Sequence, residues 1–163
     1  ELNFNDIETQ NFLKITNSTS KSIEIYEGWP AAIQLFIQAQ NQEFIKETII
    51  YEYINDEIFK NLSETTREFL ISCSLLTFFD ISIGKKISQS NSFQDLELEL
   101  SNLNPLIKGG RETMTFNQIF RDFLFDNLKE RGLSELNKKH IKAARIFGAR
   151  GDLDALEIGR AHV

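Results

Sequence analysis

Apolar positions recur at helical spacing along most of the chain. Asn5, followed three residues later by Glu8, has the form of a capping box, and Ile7, Phe12, Leu13 and Ile15 give the helix it starts an apolar side. Leu2-Asn3-Phe4 before it reads as the tail of a strand. A polar break over Asn17 to Ser20 precedes a short helical turn, Ser22 to Glu27, carrying Ile23, Ile25 and Tyr26. Gly28 ends that turn. Pro30 opens a new helix, where its missing N–H costs nothing, and Ala32, Ile33, Phe36 and Ile37 mark the buried face. Asn41 is expected to open a longer helix to about Lys60, with Phe44, Ile45, Thr48, Ile49, Tyr53, Ile54 and Ile58 in phase.

Three further N-caps are predicted. Ser63 starts a helix that faces inward through Phe69, Leu70, Cys73 and Leu76; Asp80 starts one with Ile81, Ile83 and Ile87; Ser92 starts one with Phe93, Leu96, Leu100 and Leu103. The pattern then changes. Pro105-Leu106-Ile107 and Met114-Thr115-Phe116 are short extended runs on either side of Lys108-Gly109-Gly110-Arg111-Glu112, which predicts a β-hairpin turning at the glycine pair. A helix follows at once, with Ile119, Phe120, Phe123, Leu124 and Leu128 inward and Gly132 as its stop. Ser134 is expected to cap one more helix, with Leu136, His140, Ile141, Ala144 and Phe147 inward, ending over Gly148 to Gly151 before a further helix at Asp152. Helices, a hairpin and then a helix is the order of a winged-helix unit. The expected fold is mainly α: a helical bundle, a winged helix with one short hairpin, and the start of a helical-repeat region.

Composition narrows the function. The 163 residues are 41% hydrophobic and 26% charged, which suits a packed core. A net charge of −6 argues against this segment gripping nucleic acid or an anionic membrane through its overall field. A single cysteine, Cys73, can neither staple the fold nor build a zinc site. No apolar run approaches the ~18–20 residues of a membrane span, so no membrane role is expected. No signal peptide is visible, and a cytoplasmic setting is expected. Ile158 to Val163 translates a DNA string resembling a short-read sequencing adapter, so residues 158–163 are read as a non-native scar, in which His162 carries no weight. The chain is expected to be a fragment of a longer protein.

Several motifs then agree in order. Leu2-Asn3-Phe4 with Glu8 and Phe12-Leu13, Glu27-Gly28-Trp29-Pro30-Ala31, Tyr51 to Ile58, Thr66 to Leu76, Phe116 to Leu124 and His140 to Asp152 together resemble the MalT-like branch of the STAND family. These are large signal-transducing ATPases that include many LuxR-type transcriptional regulators. The resemblance implies a helical lid subdomain over residues 1–60, a winged-helix domain over 61–132 and the first helices of a TPR-like repeat region over 133–157. It implies the regulatory segment of an ATP/ADP-dependent switch, with Mg²⁺ used by the parent protein. It places the P-loop upstream and the DNA-reading helix-turn-helix downstream. The implied partners are the nucleotide-binding domain of the same parent chain and other copies of the activated parent, with DNA reached only through the downstream domain. A slow ATPase activity would belong to the parent, and no cofactor is expected to bind the isolated fragment. The alternatives are a helical interaction scaffold that has lost nucleotide binding, or a free-standing winged-helix DNA binder.

Candidate site residues are few. Resemblance assigns Pro30 to the adenine of a bound nucleotide, with Trp29 beside it; from the residues alone, Gly28 stops one helix, Pro30 starts the next and Trp29 is core. Asn117 stands where related switches carry a phosphate-contacting histidine, and an amide carries no charge at any pH. The preferred reading of Asn117 is an N-cap. Arg121 and Asp122 are read as a salt bridge or interface contact. Lys108-Gly109-Gly110-Arg111 lacks the Gly-Lys-Ser/Thr ending of a P-loop and is read as a turn. His140 and Cys73 are read as packed core groups. Glu97 and Glu99, two residues apart on a helix, do not face each other and make no shared carboxylate site.

Overall fold

A computed structural model of the chain describes residues 4–16, 27–38, 43–88 and 95–150. The predicted tail at Leu2-Asn3, the break and turn over 17–26, the caps at Asn41 and Ser92, Phe93, and the helix at Asp152 all lie outside them.

Helix α1 (Asp6–Thr16) begins as its capping box dictates: the Asn5 N–H donates to Glu8 Oε2 at 2.8 Å, and the Glu8 N–H to Asn5 Oδ1 at 2.9 Å. Its predicted apolar side is only partly used, since Phe12 packs on Phe4 at 5.4 Å while Ile7 is 73% exposed. Helix α2 (Pro30–Gln38) starts at Pro30 and buries Ala32 and Ile33 completely. Helix α3 (Glu43–Tyr53) does not run straight to Lys60. It passes into a π turn, Ile54–Ile58, and then a 3₁₀ turn, Phe59–Asn61. The wider turn adds a residue to the helical repeat. Among the described residues, Ile50 and Ile54 are buried four apart, while the expected Thr48 is exposed and Ile49 half-buried; across the π turn the next buried position is Phe59, five on, and the predicted Ile58 is half-buried.

Helix α4 (Glu64–Cys73) is the centre of the winged helix. Ser63 caps it, accepting from the Thr66 N–H at 3.3 Å. Five consecutive residues, Phe69 to Cys73, are buried, so the C-terminal half of this helix is covered on every side, while Glu64 in its first turn is exposed. Around it lie α5 (Ile81–Ser88), α6 (Leu96–Ser101) and α7 (Gln118–Glu130). Asp80 caps α5 through the Ile83 N–H at 2.6 Å, and α6 follows Asp95, which occupies the N-cap position with φ 66°. Gly84 permits α5 to press against α4: a Cβ there would stand 2.2 Å from the Phe69 ring and 2.7 Å from Cys73 Sγ.

The hairpin exists, but its turn is displaced. Strand β1 (Ile107–Gly110) pairs antiparallel with β2 (Thr113–Phe116), with Gly110 opposite Thr113. Gly109 and Gly110 thus lie in the strand, and Arg111-Glu112 makes the turn. Gly109 has φ 100° and a Cβ there would strike the Thr113 carbonyl at 2.2 Å. Phe79 adds a third, single-residue rung, donating to the Met114 carbonyl at 2.9 Å and accepting from its N–H at 2.8 Å.

Helix α7 carries the predicted inward set, Ile119, Phe120, Phe123, Leu124 and Leu128. Gly132, at φ 96°, ends it and leads straight into α8 (Leu133–Arg150). Ser134 is therefore inside α8 and not its cap. The Gly132 carbonyl takes the N–H groups of Glu135 and Leu136, at 3.1 and 3.2 Å. The inner face of α8 is also shifted: Lys139, Ala143 and Phe147 are buried, whereas Ile141 is 53% exposed and His140 half-buried. One hydrophobic core runs from Trp29 and Ile33 through α4 and α7 to Phe147.

Candidate functional site

The turn preceding α2 is where separate parts of the chain meet. Glu27 and Gly28 both have left-handed backbone, φ 49° and 78°. Gly28 must be glycine for a second reason: a Cβ would lie 2.2 Å from the Phe4 carbonyl oxygen. The Phe4 N–H donates to the Gly28 carbonyl at 2.8 Å, tying the start of α1 to this turn.

Trp29 is 5% exposed and packs on Tyr53 of α3, ring centroids 6.0 Å apart. Pro30 is half-buried at the first position of α2. Asn117 is fully buried. Its Oδ1 accepts from the Ile119 N–H at 3.1 Å, and its own N–H donates to the Leu106 carbonyl at 2.8 Å. The N-cap reading of Asn117 is thereby met.

These two predicted ends of a site are joined by a residue sequence reasoning passed over. Glu27 reaches from the turn to the winged helix. Its Oε1 accepts from the Gln118 N–H at 3.1 Å, the residue directly after Asn117, and its Oε2 pairs with the Lys108 ammonium on β1. The carboxylate lies at the N-terminus of α7, where exposed N–H groups and the helix dipole favour negative charge. Glu27 was visible only as the first residue of its motif, and nothing in its spacing announced a partner 91 residues away.

Other candidates serve the fold. Arg121 does not pair with Asp122; its Nε donates to the Ser74 carbonyl at 3.0 Å, closing the C-terminus of α4, and Asp122 instead receives Gln118 Nε2 at 2.9 Å. Glu97 and Glu99 turn to different partners, as their spacing requires. Glu97 meets Arg111 at 2.6 Å, and Glu99 accepts from the N–H and Oγ of Ser63 at 3.0 and 2.8 Å. Burial lowers the pKa of His140 and raises that of the Cys73 thiol far above its ordinary value.

A second ionic cluster holds α8. Lys139 is 5% exposed, donates to Ser72 Oγ at 2.8 Å and pairs with Glu68, which also pairs with Arg131. Burial works to raise the Glu68 pKa, and the hydrogen bonds from Lys139 and Arg131 outweigh it, leaving the carboxyl below its usual range. Among the described residues, no three of His, Cys, Asp and Glu gather as a metal-ligand set, and no helix is long and apolar enough to cross a membrane.

Residues 55–136 match the family model of the MalT winged helix domain. The chain belongs to this family. The matched segment runs from the π and 3₁₀ turns that follow α3, through α4 to α7, into the beginning of α8. Three curated relatives agree, each an HTH-type transcriptional regulator MalT. The chain is 30% identical to that of Vibrio cholerae over 116 residues, which is 60% of this chain and 12% of the relative. To that of Vibrio parahaemolyticus it is 27% identical over 146 residues, 80% and 16% of the two chains. To that of Vibrio campbellii it is 27% identical over 113 residues, 60% and 12%. The match thus spans 12–16% of the relatives' length. The MalT winged helix of this chain continues, without a break in the core, into the α1–α3 region before it and α8 after it.

Proposed function

We propose that this chain is the regulatory segment of a nucleotide-dependent transcriptional regulator. In this reading α1–α3 form the lid and α4–α7 the winged helix, and together they close over ADP held by an upstream nucleotide-binding domain. ATP and an inducer release them, and the parent then self-associates. What carries the reading is the family match at residues 55–136 together with the turn at Glu27 to Pro30 being fastened beside Asn117 at the head of α7. Pro30 packs on adenine. Asn117 acts as a helix cap, so this position supplies no positive charge to a phosphate.

DNA contact is assigned to a part of the parent outside this segment. In a helix-turn-helix used on DNA, the second helix enters the major groove. The corresponding helix, α6, has the sequence LELELS, with two glutamates and no lysine or arginine. Groove reading needs basic side chains that neutralise phosphates.

Fluorescent ADP binding tests the reading. The parent protein with its upstream region intact is expected to bind ADP, and Pro30→Ala to weaken binding several-fold with helix content unchanged. The present chain alone is expected to show no ADP affinity and no salt-sensitive duplex binding. ADP binding by this chain alone would overturn the placement of the nucleotide site, and duplex binding would favour the DNA-binding alternative.

A further inference from the structure

We propose that Glu27 is an ionic latch that holds the α1–α2 region on the winged helix. Three observations converge on it. First, both carboxylate oxygens are engaged on the winged helix, one by the Gln118 N–H at the head of α7 and one by Lys108 on β1. Second, Glu27 is a non-glycine residue at φ 49°, a conformation that costs energy and persists only where surroundings enforce it. Third, the turn it anchors is itself an anchor. Gly28 holds the Phe4 N–H, and Trp29 holds the Ile33 N–H at 3.1 Å in the first turn of α2.

The hydrophobic contacts of this region are made by the residues around Glu27: Trp29 packs on Tyr53, and Ala32 and Ile33 are fully buried. Tyr51 and Phe59 each meet Phe123 edge-on, at 5.5 and 5.4 Å. These contacts hold α3 and the turns after it. The turn at Glu27 is held to α7 and β1 by polar contacts, and such contacts can be released without emptying the core. The Lys108 and Glu27 side chains are 40% and 31% exposed, so water and salt reach the pair. The pair thus lies where dissolved ions can compete for it.

Amide hydrogen exchange on the 163-residue chain tests this. Glu27→Gly removes the carboxylate and relieves the strained backbone; Lys108→Met removes the cation and leaves the turn untouched. If Glu27 were only a turn residue, Glu27→Gly would leave the protection of the Phe4 and Gln118 amides unchanged or raise it. As a latch, its loss is expected to lower protection at Phe4 and Gln118 by about tenfold, from the combined loss of an ion pair and a charged bond at a helix terminus. The Arg67 amide in α4 should not change. Lys108→Met should lower the same amides less, and the double variant should match Glu27→Gly. Raised sodium chloride should deprotect Phe4 in the unsubstituted chain and not in Glu27→Gly. If Glu27→Gly loses helix content, Lys108→Met and the salt series carry the test. Unchanged protection at Phe4 and Gln118 in the folded variants, or no effect of salt, would overturn the proposal.

Discussion

At the scale of single residues, Lys139 shows how an unfavourable placement is made tolerable. An ammonium that is 5% exposed needs a negative partner and full hydrogen bonding, and it has Glu68 and Ser72. Lys139→Met removes the cation and leaves Glu68 to Arg131. The expected loss is about 2–3 kcal/mol by urea denaturation, below the full cost of stranding a buried charge because Arg131 remains. The folded Glu68 carboxyl titrates below its unfolded value. Its contribution is therefore complete above about pH 4.3, the ordinary glutamate value, and is lost as pH falls through the folded value. Lys139→Met should flatten that acid limb. Gly84 illustrates the opposite pressure. Alanine would gain about 1 kcal/mol of helix propensity, but its Cβ meets the ring of Phe69 and the sulfur of Cys73, both fully buried. Overpacking should win, with Gly84→Ala destabilising by about 1–2 kcal/mol in the same assay. At this scale the caps were legible, because Asn5, Ser63, Asp80 and Asn117 act on amides within three residues of themselves. Glu27 and Lys139 were not, because their partners are distant in sequence.

At the scale of elements, the hairpin and the third helix show where pattern reading fails. Gly109-Gly110 has the composition of a turn, yet the register puts the turn at Arg111-Glu112. The conformational demand that glycine meets lies inside β1, at Gly109. The two glycines should therefore respond differently to alanine. Gly109→Ala meets both a left-handed backbone and the Thr113 carbonyl, and should cost about 1–2 kcal/mol. Gly110→Ala meets nothing within 4 Å and should stay within about 0.5 kcal/mol. Paired thermal melts distinguish them. In α3 the expected Ile54 is buried, but the position a turn before it is Ile50, with Thr48 exposed and Ile49 half-buried, and the phase is lost again after Ile54. A regular helical period cannot express the extra residue of the π turn, which rotates Phe59 inward in place of Ile58. The last helix was misphased for another reason. Lysine at position 139 reads as solvent-facing, which tilts the inferred face toward Ile141.

For the whole molecule, the continuity of the core makes a prediction about cooperativity. Trp29, the only tryptophan, belongs to the same cluster as Phe147 in α8. Urea unfolding followed by Trp29 fluorescence and by far-UV circular dichroism should give one coincident transition. A tryptophan transition at lower urea in the unsubstituted chain would mean that the α1–α3 region unfolds independently. The mainly helical class, the order of helices around one hairpin and the winged helix were legible, because hydrophobic period and turn chemistry are local signals. The candidate site was legible only in halves. Pro30 and Asn117 could be named from motif and cap chemistry, but their neighbourhood is made by a fold-level contact through Glu27.

The packing of α5 on α4 has one further consequence. Cys73 is the only cysteine, it is fully buried, and Gly84 brings α5 directly over its sulfur. Burial also keeps the thiol protonated, and only the thiolate reacts. A thiol reagent therefore has no target until the two helices separate. Its rate of consumption, once independent of reagent concentration, should equal the rate at which the native centre comes apart. The chain thus carries its own clock for that event, one that needs no label and stays silent while the fold is closed.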